Sequence, residues 1–152
     1  MDARAKDGAD LWIEKLGLAP HAEGGWYREI WRADLEIPQN ALPAGYGGPR
    51  PACTSIYFLL RDGERSAWHR VRSAEIWLWH AGGTLELSLG GDGAAPGAGE
   101  TRLLGPDPAG GAGFQAVVAP GVWQSARVPG GGFALVSCVV SPGFHWQDFS
   151  LY

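Results

Sequence analysis

One imidazole and one carboxylate, His69 and Glu75, lie close together in the stretch GERSAWHRVRSAEIWLWHAG at residues 63–82, which also carries Trp68, Trp77 and Trp79. A histidine beside a carboxylate in apolar surroundings can move a proton near neutral pH, hold a metal or orient a polar ligand. The two halves of the stretch alternate. Ala67, His69 and Val71 fall on one side of the first run, against Trp68, Arg70 and Arg72. Glu75, Trp77 and Trp79 fall on one side of the second, against Ile76, Leu78 and His80. Alternate residues of a strand share a face. Paired as a hairpin around a turn at residues 72–74, the runs put His69 and Glu75 on one face with Trp77 and Trp79. The expectation is an acid–base pair in an aromatic-walled pocket. The plainer alternative is a structural hydrogen bond across the hairpin, which gives less reason to turn two ionisable groups inward.

Further candidates stand elsewhere. Gln124 follows a turn at Pro120 and Gly121, and its amide both donates and accepts, which suits substrate recognition or weak metal ligation. Arg28 and Glu29 follow the Glu23-Gly24-Gly25 turn. An inward Arg28 binds an acidic or phosphorylated substrate, and an outward one serves a structural ion pair. Tyr57 offers a hydroxyl to the interior or packs in the core. Trp77 and Trp79 either stack on a ligand ring or pack in the core, as Trp123 is expected to do. His21, His80 and His145 are read as surface or structural, His80 because it alternates away from Glu75. Cys53 and Cys138 are too few for a disulfide framework and sit by apolar runs, so both are expected as buried free thiols.

The elements that must carry these residues are short. Residues 10–18 read as a helix with Leu11, Trp12, Ile13 and Leu16 on its apolar side, Asp7 or Asp10 at its start and Gly17 at its end. Strands are expected at 26–31, 53–60, 67–71, 75–80, 84–89, 103–104, 114–118, 123–128 and 133–140, with an extended aromatic end at 144–149. Residues 38–51 read as loop, and 90–99 as a mobile loop without periodicity. Many short strands with Gly and Pro turns suggest a β-sandwich or barrel.

The totals narrow the function. A chain of 152 residues suits one domain. Hydrophobic residues make up 45% and there are eight Trp, enough to build a core and line a cavity. The net charge of −4 without a basic block argues against nucleic-acid binding. The absence of a long apolar run argues against a membrane span, and the polar start lacks a signal core, so a cytoplasmic location is expected.

Gly63, His69, Val71, Glu75 and Gly82 resemble the first motif of the cupin superfamily, with Val71 where that motif carries a second His. AVVAPGVWQSA at residues 116–126 resembles the second motif, with Gly121 in place and Gln124 at the His position. HAEGGWYREIWR at 21–32, the SIYFLL and SAWHRV runs, and SPGFHWQDFSL at 141–151 are similar to the cupin-5 (DUF985) family. The resemblance implies an all-β fold over residues 1–152, a jelly-roll β-barrel with a short N-terminal helix and its core at 11–151. It also implies a site inside the barrel and a homodimer, for which Ile30, Ile76 and Leu78 supply an apolar face. Cupins commonly hold Fe, Mn, Ni or Zn on three His and one Glu. Here the metal set reduces to His69, Glu75 and Gln124. Three readings follow. The first is metal-independent acid–base chemistry on a sugar or sugar-nucleotide-like molecule, with His69 as acid or base, Glu75 orienting it, and Arg28 and Gln124 holding the substrate. The second is a metal-dependent dioxygenase or isomerase. The third is a small-ligand binding protein without catalysis.

Overall fold

The computed structural model describes residues 7–152; the polar opening, residues 1–6, lies outside the described residues. Asp7 caps the only α-helix among them, α1 (Gly8–Leu16), its carboxylate accepting from the Asp10 N–H at 2.8 Å. Gly17 closes the helix in the left-handed region at φ 64°.

The rest is mostly strand: β1 (Ala19–Pro20), β2 (Trp26–Arg32), β3 (Glu36–Ile37), β4 (Arg50–Pro51), β5 (Thr54–Arg61), β6 (Arg65–Val71), β7 (Ala74–Gly82), β8 (Leu85–Leu89), β9 (Thr101–Leu104), β10 (Gln115–Val118), β11 (Gln124–Arg127), β12 (Phe133–Ser141) and β13 (Phe149–Leu151). Six strands form one sheet in the order β1-β2-β5-β12-β7-β10, and five form a second in the order β13-β6-β11-β8-β9. The short pair β3-β4 stands apart, so the expected loop at 38–51 ends in a strand. Every strand pairing within these sheets is antiparallel. The two large sheets are open rather than closed into a barrel, an arrangement that a cupin jelly-roll fits.

The hairpin expected from residues 67–80 does not form. β6 pairs with β11 and β13, whereas β7 pairs with β12 and β10. The turn between them carries the chain from one sheet to the other, so His69 and Glu75 approach from opposite sheets.

The interior between the sheets has two ends. At one, Phe58, Leu60, Trp77, Leu85, Leu87 and Val136 pack into a dry core. At the other, a cavity of about 610 Å³ opens among β2, β5, β6, β7, β12 and the C-terminal segment. β12 spans both: Ala134 and Val136 lie in the core, and Cys138 and Val140 reach the cavity. Its nearly unbroken apolar run suits a strand covered on both faces. On the outside of the six-stranded sheet, α1 covers one end, where Trp12, Ile13 and Leu16 pack on Leu59 and Leu135.

Candidate functional site

β6 delivers His69 to the cavity, where it is 2% exposed. Its Nδ1–H donates to the Ala67 carbonyl at 2.8 Å, which directs Nε2 at the carboxylate of Glu23, 2.8 Å away. Burial opposes a charged ring here. The Glu23 charge and hydrogen bond, the Glu75 charge and the Ala67 carbonyl outweigh it, and the His69 pKa stands above its ordinary value. His69 and Glu23 thus form a buried ion pair.

Glu23 arrives on the turn between β1 and β2. The Ala67 N–H donates to the Glu23 carbonyl at 2.7 Å, and the Trp26 indole donates to Glu64 at 3.1 Å, so the turn is tied to the start of β6. Gly24 makes the close approach possible: its φ is 102°, and a Cβ there would run into the Arg65 carbonyl. His21, on the same turn, accepts the Glu23 N–H on Nδ1 at 3.0 Å and sets its ring edge-on to Tyr27. Burial lowers its pKa, against the pull of Glu23 and helped by the His69 charge, so this ring is held neutral.

Glu75 faces the same cavity from β7 and is 6% exposed. Its Oε1 accepts from the Gln124 amide at 2.7 Å, and the Gln124 carbonyl oxygen accepts the Trp77 indole N–H at 2.8 Å. Indole only donates, so the Trp77 bond fixes which end of the amide meets Glu75. Burial raises the Glu75 pKa to about 7; the His69 charge, the Gln124 amide and the Cys138 thiol pull it down, and the Glu23 charge adds to the rise. The Cys138 thiol hydrogen-bonds Glu75, and burial with the two carboxylates pushes its own pKa well up, so it remains a thiol. Two proton-active poles result: a His69–Glu23 ion pair, and a separate Glu75 poised between acid and base at neutral pH.

The match to a known family covers residues 10–152, nearly the whole chain, and the description of that family is Cupin superfamily (DUF985). The chain belongs to that family. Two solved structures resemble it over most of their length. A hypothetical protein from Leishmania major is 33% identical over 95% of this chain and 86% of its own, with a TM-score of 0.83. A protein from Shewanella oneidensis is 36% identical over 97% of this chain and 85% of its own, with a TM-score of 0.80. A cupin-like protein from Thermotoga maritima, 10% identical over 100% of this chain and 89% of its own at a TM-score of 0.57, shares the fold alone. No curated protein matches the chain.

The metal that many cupins carry does not fit the donors in this one. Val71 lines the cavity at the second motif position and has no ligating atom. The His69 nitrogens are committed to Ala67 and Glu23, and the one carbonyl oxygen of Gln124 is committed to Trp77. Among the described residues no three His, Cys, Asp or Glu side chains are placed to hold a metal ion.

The other expected site residues divide. Gln124 is 1% exposed and positions Glu75. Arg28 borders the cavity at its rim but pairs opposite Tyr57 on the outer face of the sheet, its guanidinium donating to the Leu16 carbonyl at the end of α1 at 3.2 Å. Trp77 and Trp79 do not wall the cavity. Trp77 lies in the dry core, and Trp79 packs at its far end, donating to the Gly83 carbonyl and stacking on Phe114. Their alternation with Glu75 is correct, but each two-residue step moves about 7 Å along a strand, and the cavity ends at Glu75. Tyr57 faces the outer side of its sheet, packed with the helix cluster and beside His80. His80 lies on that outer side too, bonded to Ser137 at 2.5 Å. His145 caps a 3-10 turn at Trp146–Asp148 and touches the cavity mouth. Cys53 and Cys138 are free, and Cys53 is only half-buried.

Sequence reasoning missed Glu23, the inward turn of His21, and Cys138 as a cavity group. The one available signal was the Glu-Gly-Gly turn, since paired glycines mark a backbone that must pass close to another.

Proposed function

We propose that the cavity is a metal-independent acid–base site for a small polar molecule, with Glu75 as the proton-transfer group and the His69–Glu23 pair as the charged partner facing it. The observation that carries this reading is the pair of poles itself: a buried carboxyl near pKa 7 close to a histidine that is bonded to a different carboxylate. A group whose pKa matches the working pH serves equally well as acid and base. Glu75 takes a proton from an acidic C–H or O–H of the bound molecule. The His69 imidazolium stabilises the negative charge that develops, and the proton returns at another face or atom. The reaction class is isomerisation or epimerisation, which needs no oxidant. Here Glu23 orients His69, the part expected of Glu75, and Gln124 with Trp77 orients Glu75. A sugar or sugar-nucleotide-like substrate carries hydrogens of this kind, and the cavity volume lies in the range usual for small-ligand sites.

The test is hydrogen exchange. The protein is incubated in D₂O with a panel of sugars, sugar phosphates and sugar nucleotides, and deuterium uptake is followed by NMR. Uptake by one compound, reduced about 100-fold or more in Glu75→Gln, is expected. Binding of a compound without exchange, unaffected by Glu75→Gln, would instead support a protein that only binds.

The expected homodimer is part of the proposal. The apolar outer row Val117–Ile76–Val139, continuous across β10, β7 and β12, lies beyond the end of the sheet that α1 covers.

A further inference from the structure

The acid–base site has a requirement that its two poles do not meet. Both nitrogens of His69 are occupied, Nδ1 by the Ala67 carbonyl and Nε2 by Glu23. Its charge faces the cavity, but it has no N–H left to donate. An oxygen that gains negative charge during a reaction is stabilised most by a donor already in place beside it.

His21 carries such a donor. Its Nδ1 accepts the Glu23 N–H at 3.0 Å, and a ring nitrogen that accepts holds no proton. The proton of this neutral ring is therefore on Nε2, which has no hydrogen-bond partner. The side chain is 7% exposed. Among the described residues, the one side-chain nitrogen or oxygen sealed from solvent without a partner is Arg61 Nε, so the small part of His21 that stays open includes Nε2. The cavity is what His21 borders. A buried imidazole thus opens an unused N–H on the same cavity as Glu75 and His69.

The ring is held in place on every side. Nδ1 lies 3.9 Å from Glu23 Oε1, and the other oxygen of that carboxylate meets His69. Tyr27 stands edge-on at 4.4 Å between ring centroids and Phe58 at 6.0 Å. Trp146 at 5.7 Å and Phe149 at 6.1 Å come from the C-terminal strap, residues 144–149, which borders the cavity mouth. A neutral imidazole N–H polarises a carbonyl oxygen without surrendering its proton. The charges around it favour an uncharged acceptor. One imidazolium stands against the carboxyl groups of Glu23 and Glu75, so the site has no surplus positive charge for a carboxylate or phosphate.

We propose that His21 donates its Nε2–H to a carbonyl oxygen of the ligand, and that the ligand is an aldehyde or ketone whose neighbouring carbon is deprotonated by Glu75. This rests on the acid–base reading of the cavity. Glu75 takes the proton of the C–H bond. The pair of that bond becomes a carbon–carbon double bond, and the π pair of the carbonyl moves to oxygen, where His21 donates and the His69 charge assists. Return of the proton to carbon reforms the carbonyl, so no oxidant or reductant enters. Among sugar-like molecules this selects those with a free carbonyl.

Proton exchange in D₂O, followed by NMR, tests it with dihydroxyacetone, glyceraldehyde, erythrulose and xylulose, and with xylitol as a probe that has no carbonyl. Deuterium uptake is expected beside the carbonyl of at least one of the first four and not in xylitol. His21→Phe keeps a ring among its neighbours and removes both nitrogens; it is expected to slow the exchange about 100-fold, with His21→Gln recovering part of the loss. Infrared spectroscopy gives a readout that packing alone does not move: the C=O stretch of the bound probe is expected at lower frequency in the wild type than in His21→Phe. Absence of binding and exchange with all four carbonyl probes, or exchange that His21→Phe leaves unchanged, overturns the proposal. Glu75→Gln separates it from the reading it rests on. A probe that binds with a His21-dependent C=O shift but shows no Glu75-dependent exchange keeps the donor and the ligand class and removes the acid–base chemistry. Glu75-dependent exchange indifferent to His21 does the reverse.

Discussion

At the scale of the residue, the site depends on which carboxylate meets which base. His69 has a nearer partner than Glu75, and that partner, Glu23, comes from a turn 46 positions earlier in the chain. Glu75 is thereby left buried and free to titrate. This has a consequence for stability. Glu75 has a folded pKa of about 7 against 4.5 ordinarily, so the folded protein binds the proton more tightly than the unfolded chain. Stability falls as pH rises from 4.5 to 7, by about 3 kcal/mol for this group. His69 has a folded pKa raised above 6.5, so its contribution is complete below 6.5 and is lost as pH rises through the higher folded value. Both act in the same direction. Urea unfolding at a series of pH values is expected to show stability declining from pH 5 to 8. In Glu75→Gln the slope between 4.5 and 7 is expected to flatten; an unchanged slope would mean that other groups set it.

At the scale of the element, the C-terminal strap is the part whose loss would be felt at a distance. It is joined to the sheet by β13 pairing with β6, which places Phe149 opposite Val71, and to the interior by the Arg50–Asp148 pair. Removing one member of a buried ion pair leaves the other charge without a partner, at a cost of about 3–5 kcal/mol. Asp148→Ala is therefore expected to lower stability by that amount in denaturant unfolding. The double change Arg50→Met with Asp148→Leu is expected to recover most of the stability, because it removes both charges at once. Equal losses in the single and double variants would place the cost in packing rather than in the unpaired charge. Gly143 belongs to the same joint. Its N–H donates to the Pro51 carbonyl at 2.7 Å, and a Cβ there would meet that oxygen at 2.9 Å, so the strap lies against β4 only with glycine at this position.

At the scale of the whole molecule, the outer row of Val117, Ile76 and Val139 leads to a measurement of mass in solution. Val117 is 53% exposed in the single chain. Light scattering on a sizing column is expected to give a dimer, and Val117→Asp with Ile76→Asp a monomer; a wild-type chain that runs as a monomer at every concentration would remove the proposal. The amino-acid sequence alone determined the family, the β content, a short helix ending at Gly17 with Asp7 or Asp10 at its start, and the alternation that turns His69 and Glu75 inward. Caps and glycines act over a few neighbours, and alternation is a property of the single strand, so these features are legible in linear order. His69 and Glu75 stood out for that reason. Only the tertiary structure decided that β6 and β7 lie in different sheets, that Glu23 is the partner of His69, that Gln124 is committed to Trp77, and where along β7 the core gives way to the cavity. Each of these depends on segments far apart in the chain. Alternation sets the face of a side chain and is silent about its depth, so Trp77 and Trp79 shared a side with Glu75 yet packed in the core, and the rings at the mouth came from the C-terminal strap.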